Sequence, residues 1–399
     1  MGYQGDMGGF LDGVRHFTGH GATTRTEISG GIPYFTNAFW TSGQRQAHSL
    51  HEISYRACFK GQLPAFFIER LTAPGDRVHD PFMGRGTTLL QAALMGRRVS
   101  GADINPICEM LIRPRLGPVS LQEITAALAD IDWSRGAIER EDLLVFYHPT
   151  TLAHLEALRC WLSEHAPLGG PVGPIADWIR MVALNRLSGH SAGFFSVRSM
   201  PPNQAVSVAS QARINARNGQ TPPERDVAAL IVKKSRSLLR DGCLDAPASA
   251  TLLTADARAT PRITSGSVDL VVTSPPFLDV VQYGADNWLR CWFAGVDPDR
   301  VEIAMHRETN AWMNMVRGVL TEQARILRPG GVVAFEVGEV RGGRVLLEQL
   351  VWQAADGLPF ERIGVLVNDQ AFTKTANCWG VANGVRGTNT NRIVLLSRR

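Results

Sequence analysis

The segment from Arg77 to Asp103 constrains the fold more than any other part of this sequence. A short strand-like segment at residues 77–80 leads into a glycine-containing loop, then into a helical pattern at 87–97 and a second strand-like segment at 98–103. This succession is a βαβ unit, which implies a parallel, doubly wound α/β sheet of the Rossmann-like type. Five later runs also have strand character: 251–254, 268–273, 332–337, 362–367 and 392–397.

Between the strand at 98–103 and the strand at 251–254 the hydrophobic pattern becomes helical. Leucines recur at helical spacing at 152, 155, 158 and 162, and Pro/Gly-rich stretches separate such segments. We therefore predict one α/β domain formed by residues 49–106 and 249–399, interrupted by a mainly helical insertion at 107–248. Further helices are expected at 49–71 and 310–327. Residues 1–48 should form an N-terminal arm, flexible over 1–32.

Charge and cysteine content narrow the class of protein. The formal net charge is +4, and only four of the 41 basic residues are lysine. Arginine suits phosphates and guanine edges, although GC-biased codon usage explains the same ratio. The six cysteines contain no CxxC pair, which argues against a zinc site or a disulfide framework. Since no apolar run reaches about 18 residues, a soluble cytoplasmic protein is expected.

The first motif, Asp80 to Thr88, lies where a strand turns into a helix. Gly84 and Gly86 allow the backbone to approach a ligand closely, and the helix that follows offers free N–H groups to an anion. Asp103 ends the next strand, where a carboxylate can accept both hydroxyls of a ribose. The loop lacks the third glycine of the nicotinamide fingerprint, so an adenosyl cofactor of another kind is favoured. A simple helix cap is the alternative for Asp103.

The second motif is an apolar strand that ends in Ser274-Pro275-Pro276-Phe277. Consecutive prolines hold the backbone rigid and remove two N–H donors. The Ser274 side chain and the Pro275 carbonyl could then accept the two protons of an exocyclic amino group, while Phe277 offers a flat face to a base. A rigid turn at the end of a strand is the alternative.

Together, DPFMGRGTT, GADINP and TSPPF resemble the motifs of the S-adenosylmethionine-dependent DNA amino-methyltransferases, which act on cytosine N4 or adenine N6. The resemblance implies a catalytic loop of Ser274, Pro275, Pro276 and Phe277. The segment with His51, Glu52 and residues 59–64 resembles the one that closes over the methionine end of the cofactor in that family. The implied cofactor-binding residues are Lys60, Asp80, Phe82, Gly84, Gly86, Thr87, Thr88, Asp103 and Asp256.

In that family, a serine before Pro-Pro accompanies methylation of cytosine N4, whereas enzymes that methylate adenine N6 more often carry Asp or Asn at this position. The resemblance thus implies a site-specific cytosine-N4 methyltransferase of a bacterium or phage, with DNA as substrate and a restriction endonuclease as counterpart. The alternatives are an adenine-N6 enzyme, an RNA or protein methyltransferase, and a non-catalytic nucleic-acid-binding protein. Carbon-5 methylation is rejected, because that mechanism needs a nucleophilic cysteine and the chain has no Pro-Cys.

Target reading is expected in the insertion. It contains a glycine-rich loop with paired Phe194 and Phe195, and a segment at 211–218 that is rich in Gln, Asn and Arg, the side chains that read base edges. Arg198 and Arg213 are candidate DNA contacts. Structural packing of the insertion against the core is the alternative. Near the C-terminus, Trp379 is expected to border the base pocket.

Overall fold

The structure is a computed structural model that describes residues 7–41, 47–55, 58–199, 205–278, 283–301, 306–340, 344–369 and 390–399. The strands are β1 Arg25–Ser29, β2 Ile32–Asn37, β3 Arg77–Asp80, β4 Arg98–Asp103, β5 Ala250–Thr254, β6 Val268–Thr273, β7 Leu327–Val337, β8 Glu339–Val340, β9 Val345–Leu346, β10 Phe360–Asp369 and β11 Thr390–Arg398. The helices are α1 Met7–Arg15, α2 Gln62–Leu71, α3 Thr87–Leu94, α4 Pro106–Ile112, α5 Leu121–Ala129, α6 Pro149–His165, α7 Pro174–Leu184, α8 Val208–Asn218, α9 Val227–Leu238, α10 Tyr283–Ala294, α11 Thr309–Ile326 and α12 Leu347–Ala354.

Within the described residues, nine strands form one mixed sheet in the order β1-β2-β10-β11-β7-β6-β3-β4-β5. The consecutive strands β7, β6, β3, β4 and β5, of which β5 is at the edge, are parallel, and β11 runs antiparallel to both of its neighbours. The chain moves outward from β3 through β4 and β5, and later returns to β6 on the other side. The order therefore reverses beside β3, where an α/β sheet leaves a crevice at the carboxyl ends of its strands.

Alternating strand residues supply two apolar cores, one on each face of the sheet. On one face Val78, Val99 and Leu270 pack with α2, α3 and the helices of the insertion. On the other face Val271 and Val333 pack with α11 and α12. The predicted α/β layer architecture is confirmed, with the sheet between two helical layers.

The helices α4 to α9 lie between β4 and β5, where the helical insertion was predicted. Their apolar sides belong to the same core as the sheet face, and Trp178 and Val182 of α7 are fully buried in it. A capping box at Ser120 and Glu123 starts α5, and Asp226 caps α9. The insertion is thus built onto the sheet instead of standing apart from it.

The N-terminal segment differs from the expected flexible arm. Residues 25–37 form the hairpin β1–β2, and β2 adds a parallel strand beside β10. Gly30 and Gly31 have φ values of 57° and 78°, the left-handed conformation that a tight hairpin turn requires at both central positions. The pair Gly30-Gly31 between two strand-like runs is the local sequence signal for this hairpin.

Residues 49–71 also differ from the single predicted helix. The regular helix α2 begins only at Gln62, and residues 52–55 and 58–60 have no helical structure. This extended stretch is used as a wall of the cavity described below. Among the described residues no helix is long and apolar enough to cross a membrane.

Candidate active site

A cavity of about 450 Å³ opens at the carboxyl ends of β3, β4 and β6, at the point where the strand order reverses. Its volume lies in the range of pockets that hold a cofactor or another small ligand. It is lined by Tyr55, Cys58, Phe59, Asp80, Pro81, Phe82, Met83, Gly84, Arg85, Thr87, Asp103, Ile104, Asn105, Asp256, Ala257, Arg258, Ser274, Pro276, His306, Met315 and Val319.

The glycine loop is tied to the acid at the end of β4. The Gly84 N–H donates to one Asp103 carboxylate oxygen over 2.9 Å, and the Asn105 N–H donates to the other over 3.0 Å. Gly86 has a φ of 77°, and a Cβ there would lie 2.5 Å from a side-chain carbon of Ile112. Glycine is therefore required at position 86, for its backbone conformation and for the space it leaves.

Helix α3 begins at Thr87 on the cavity wall, and Gly86 provides no side-chain cap for its first turn. The first N–H groups of such a helix favour an anionic partner. Asp103 remains partly accessible in the lining, and burial raises the pKa of its carboxyl. With one backbone donor on each oxygen, the carboxylate keeps acceptor capacity for a ligand's hydroxyls.

Asp80 joins the two strands that flank the crevice. Its carboxylate accepts a hydrogen bond from the Thr273 hydroxyl at the end of β6 over 2.7 Å, and another from the Phe82 N–H over 3.1 Å. Burial raises the pKa of Asp80 to about 7. The Thr88 hydroxyl donates to the Val272 carbonyl of the same strand. These contacts hold the glycine loop in register with the Pro-Pro loop.

The segment that precedes α2 is fastened to the glycine loop by two arginines. The Arg85 guanidinium donates to the carbonyls of Ile53 and His51 over 2.6 and 3.3 Å. The buried Arg115 donates to the Leu50 carbonyl and to the Arg85 carbonyl. Tyr55, Cys58 and Phe59 consequently stand in the cavity wall, as the resemblance implied for this segment.

The Pro-Pro loop is supported from β7. The carboxylate of Glu336 lies close to the Ser274 hydroxyl, is 5% exposed and accepts a hydrogen bond from the Asn391 amide over 3.0 Å. Burial raises the pKa of Glu336, and these two donors oppose the rise. If the Ser274 hydroxyl directs its single proton to Glu336, the lone pairs of its oxygen remain as acceptors toward the cavity.

The two residues after Pro275 are held by packing. The indole of Trp312, which is 1% exposed, donates to the Pro276 carbonyl over 2.8 Å. The Phe277 ring lies against Gly338, where an added Cβ would come within 2.9 Å of it. Trp312 and Gly338 therefore fix the path of the loop from opposite sides of the chain.

Asp256 stands in the lining beyond the end of β5. Its carboxylate forms a two-pronged pair with the Arg258 guanidinium, and this partner lowers the pKa of Asp256. The carboxylate that was expected to contact the adenine is thus already paired in the structure, although part of it faces the cavity.

The structure brings most of the predicted site residues together. Those in the lining are Asp80, Phe82, Gly84, Thr87, Asp103, Asp256, Ser274 and Pro276. Gly86 and Thr88 do not line the cavity. Gly86 fixes the glycine loop through its backbone conformation, and Thr88 through its hydrogen bond to Val272. Among the described residues, the lining does not include Lys60, Pro275 or Phe277; Lys60 is half-buried beside Arg85, and burial lowers its pKa. Trp379 lies outside the described residues.

The polar and aromatic residues expected to read a target are mostly internal. Phe195 is fully buried and Phe194 is 6% exposed, with the Arg186 guanidinium 4.1 Å from the Phe194 ring centre. Gln211 and Asn215 hydrogen-bond each other and the backbone of neighbouring loops. These four side chains hold the insertion together, which corrects their assignment to base reading.

Three supporting residues were missed in the sequence. Glu336 has a signal: it is the one acid within the apolar run of β7, and a charge at a buried strand position is costly unless it has a partner. Trp312 and Tyr55 have no such signal. Their proximity to the site comes from segments far apart in the chain.

The mixed sheet, with a glycine loop after β3 and a carboxylate at the end of β4, confirms the predicted Rossmann-like α/β fold. Residues 29–113, which contain the glycine loop and Asp103, match a family model described as DNA methylase. This match agrees with the resemblance of the motifs to the DNA amino-methyltransferases.

Three curated relatives are similar to parts of the chain. Type II methyltransferase M.BsoBI of Geobacillus stearothermophilus is 24% identical over 288 residues, which are 63% of this chain and 54% of that protein. M.MvaI of Kocuria varians is 26% identical over 132 residues, 31% of this chain and 28% of that protein. M.MjaII of Methanocaldococcus jannaschii is 34% identical over 87 residues, 22% and 16% respectively. The chain spans about half or less of the length of these relatives.

Proposed function

We propose that the protein transfers a methyl group from S-adenosylmethionine to the exocyclic N4 amino group of a cytosine extruded from DNA. The observation that carries this proposal is one continuous cavity with Asp103 and the glycine loop in its lining together with Ser274 of the Pro-Pro loop. A cofactor site and an acceptor for an amino group thus share the same space.

The cavity has the donor and acceptor set that the adenosyl cofactor needs. Asp103 would accept the ribose hydroxyls, and the uncapped first turn of α3 would receive the cofactor carboxylate. Phe82 and Asp256 would border the adenine, and Tyr55 and Phe59 would cover the cofactor from the upstream segment. When bound, S-adenosylmethionine supplies a methyl group activated by its attachment to a positively charged sulfur.

Ser274 lines the cavity, where its oxygen would orient an amino group. An amine conjugated to a base ring is a poor nucleophile until its hydrogens are directed to acceptors and its nitrogen points at the methyl carbon. The Ser274 oxygen and the Pro275 carbonyl would accept these hydrogens. One proton must leave as the nitrogen–carbon bond forms, and the Ser274 hydroxyl connects this position to the buried carboxylate of Glu336.

The choice of cytosine rests on Ser274 itself, since a hydroxyl here accompanies N4 methylation in the family that the motifs resemble. Adenine N6 is the second candidate, because the same acceptors serve either amino group. Stacking of the base on Phe277 stays a prediction: the ring is half-buried and one side of it faces Gly338.

DNA as the substrate is supported by the DNA methylase match at 29–113 and by the three type II methyltransferases to which the chain is similar. A base must leave the double helix to reach an enclosed cavity, so we include base extrusion in the proposal. The type II names also motivate a restriction endonuclease counterpart, with the methylated sequence protected from that endonuclease.

The test is to identify the modified nucleoside. DNA from cells that produce the protein is digested to nucleosides and analysed by mass spectrometry, with Ser274→Ala as the matched control. We expect N4-methylcytosine from the unchanged protein. For Ser274→Ala we expect turnover lower by roughly ten- to a hundredfold, the order of effect of misplacing a reacting group, and nearly unchanged cofactor affinity.

Each possible methylated nucleoside leads to a different conclusion about the target base and the mechanism. N6-methyladenine alone would replace cytosine by adenine and leave the role of Ser274 standing. A carbon-5 product would overturn both the target and the mechanism. Full activity of Ser274→Ala would remove Ser274 from the catalytic group, and Ser274→Thr, which retains the hydroxyl, tests whether the oxygen is what matters.

A further inference from the structure

The insertion contains a long stretch without acidic residues. No Asp or Glu occurs between Asp177 and Glu224, whereas the whole chain has 37 acids in 399 residues. The stretch 178–223 carries five arginines, at positions 180, 186, 198, 213 and 217. Its formal charge of +5 exceeds the +4 of the whole chain, so the rest of the protein is at −1. The net positive charge of the protein is thus concentrated in this stretch.

The structure divides these arginines into internal and external ones. Arg180 is buried and paired with Asp177, and Arg186 is largely buried against Phe194. Arg198, Arg213 and Arg217 are exposed, and among the described residues they form no ion pair. These last three form the group that we call the arginine face.

Backbone contacts bring the arginine face together. Gln211 and Gln220, at the two ends of α8, both donate to the Arg198 carbonyl, over 3.2 and 2.9 Å. On α8 itself, Arg213 and Arg217 are four residues apart and share the outer side of the helix, opposite Gln211. Arg198 therefore lies beside the helix that presents the other two.

The support beneath this face is rigid. The Ser199 N–H donates to the Gly189 carbonyl over 2.8 Å, and the Val197 N–H donates to the Phe146 carbonyl over 2.8 Å. Phe195, two residues before Val197 in the chain, is fully buried. A preorganised loop loses little conformational entropy when it binds a partner, so its charges are well placed for a repeating polyanion.

Two contacts fix the stretch close to the cavity. The Asn185 side chain accepts a hydrogen bond over 2.7 Å from the N–H of Ser54, the residue before Tyr55 of the cavity wall. The Trp288 indole, on the helix after the Pro-Pro loop, donates to the Ala205 carbonyl over 3.2 Å. The acid-free stretch is thus anchored both to the cavity wall and to the helix that follows Ser274.

Acids from neighbouring elements do not cancel this charge. α8 packs against the segment Glu141–Val145, which contributes Glu141 and Asp142. Asp142 is already paired with Arg140 over 2.6 Å. Of the acids in that segment, only Glu141 forms no ion pair within the described residues, whereas the arginine face has three exposed arginines.

We propose that Arg198, Arg213 and Arg217 bind consecutive backbone phosphates of duplex DNA and hold the duplex over the cavity without reading its bases. This inference rests on the proposed function and adds to it a docking surface. Guanidinium groups bind phosphates through charge-assisted, paired hydrogen bonds, and every phosphate that is neutralised releases counterions. The affinity contributed by this face should be independent of DNA sequence and strongly dependent on salt.

The experiment compares the unchanged protein with Arg198→Ala/Arg213→Ala/Arg217→Ala. Binding of a fluorescent DNA duplex of arbitrary sequence is followed by anisotropy between about 50 and about 200 mM salt. The triple variant should lower the slope of log affinity against log salt by about 2 to 3, close to 0.9 for each lost phosphate. In methylation assays its KM for DNA should rise while kcat at saturating DNA is retained.

The matched control is Arg25→Ala/Arg98→Ala/Arg262→Ala. It removes the same charge from exposed arginines outside the stretch. The control should keep the salt slope of the unchanged protein. An equal fall in both variants would reduce the effect to net charge and overturn the arginine face, as would an unchanged slope in the first variant.

Further outcomes separate this inference from the proposed function. If the unchanged protein methylates DNA and the triple variant binds the duplex with the same salt slope, the arginine face is wrong and the proposed function stands. If the unchanged protein does not methylate DNA but still binds the duplex through the three arginines, the proposed function is wrong and the face stands. Preference for an RNA duplex of the same length over DNA would overturn the assignment of the partner.

Discussion

At the scale of single residues, Asp103 accepts hydrogen bonds from the backbone and also offers acceptors to the cavity. Each of its oxygens accepts a backbone N–H, from Gly84 or from Asn105, and the remaining acceptor capacity faces the cavity. Hydrogen bonds to a charged group contribute about 1.5 to 3 kcal/mol. We expect Asp103→Ala to weaken S-adenosylmethionine binding by this amount, measured by titration calorimetry on the folded protein.

Asp245→Ala is the matched control, because Asp245 is exposed and lies between α9 and β5. It should leave the cofactor affinity unchanged. Loss of the Gly84 contact could also loosen the loop, so the thermal unfolding of Asp103→Ala is measured alongside. Unchanged cofactor affinity in a folded Asp103→Ala protein would contradict the assignment of this carboxylate to the ribose.

At the scale of secondary-structure elements, Asp80 connects β3 to the end of β6. Its pKa rises from 3.8 in the unfolded reference to about 7 because the carboxyl is buried. The folded state then binds a proton that the unfolded state releases between these two values. Stability from this group is fully present at low pH and is lost as pH rises from about 4 to about 7.

Asp80→Asn removes this titration and retains an oxygen that can accept from Thr273 and Phe82. The free energy of unfolding of the unchanged protein should therefore fall relative to the variant, by at most about 1.4 kcal/mol for each pH unit of that window. Urea unfolding at several pH values measures the difference, with Asp245→Asn as the control. Parallel pH profiles for the unchanged protein and Asp80→Asn would show that Asp80 does not titrate in this range.

Elements also show where local sequence signals are sufficient. The predicted bounds of β3, β4 and β6 agree with the structure residue for residue. Each of these strands is a short segment with Gly or Pro residues close to its ends, so its bounds are marked locally. The end of α11 was predicted to within a residue for the same reason. Helices α10 and α12 were not predicted, and their positions reflect packing on the sheet.

At the scale of the whole molecule, the insertion and one face of the sheet share a single apolar core. Trp178 and Val182 of α7 and Val78 and Leu270 of the sheet belong to the same buried cluster. Unfolding of the insertion alone would expose that face to water, at about 25 cal/mol for each Å² of apolar surface. We expect the amides of α7 and β6 to exchange hydrogen with the same opening free energy under native conditions.

Hydrogen exchange, followed by mass spectrometry on peptides from α7 and β6, measures these opening free energies. Val182→Ala leaves a cavity in the shared core and should lower protection in both peptides by a similar amount. Val316→Ala, in α11 on the other face of the sheet, is the control for a core substitution outside the shared cluster. Loss of protection in α7 alone would show that the insertion is a separate folding unit.

The sequence by itself determined the βαβ unit, the strands that carry the two motifs and eight of the residues in the cavity lining. These features depend on local patterns: apolar alternation, glycines in a loop, a polar residue at the end of a strand. Only the tertiary structure decided that Glu336 lies under Ser274, that Trp312 holds Pro276, and that Gln211 and Asn215 point inward. The partners in the first two contacts are 36 or more residues apart in the chain. The packing of whole elements decides which long-range partner a side chain contacts. Burial stabilises that packing as a whole, so the residues next to a side chain in the sequence do not indicate its partner.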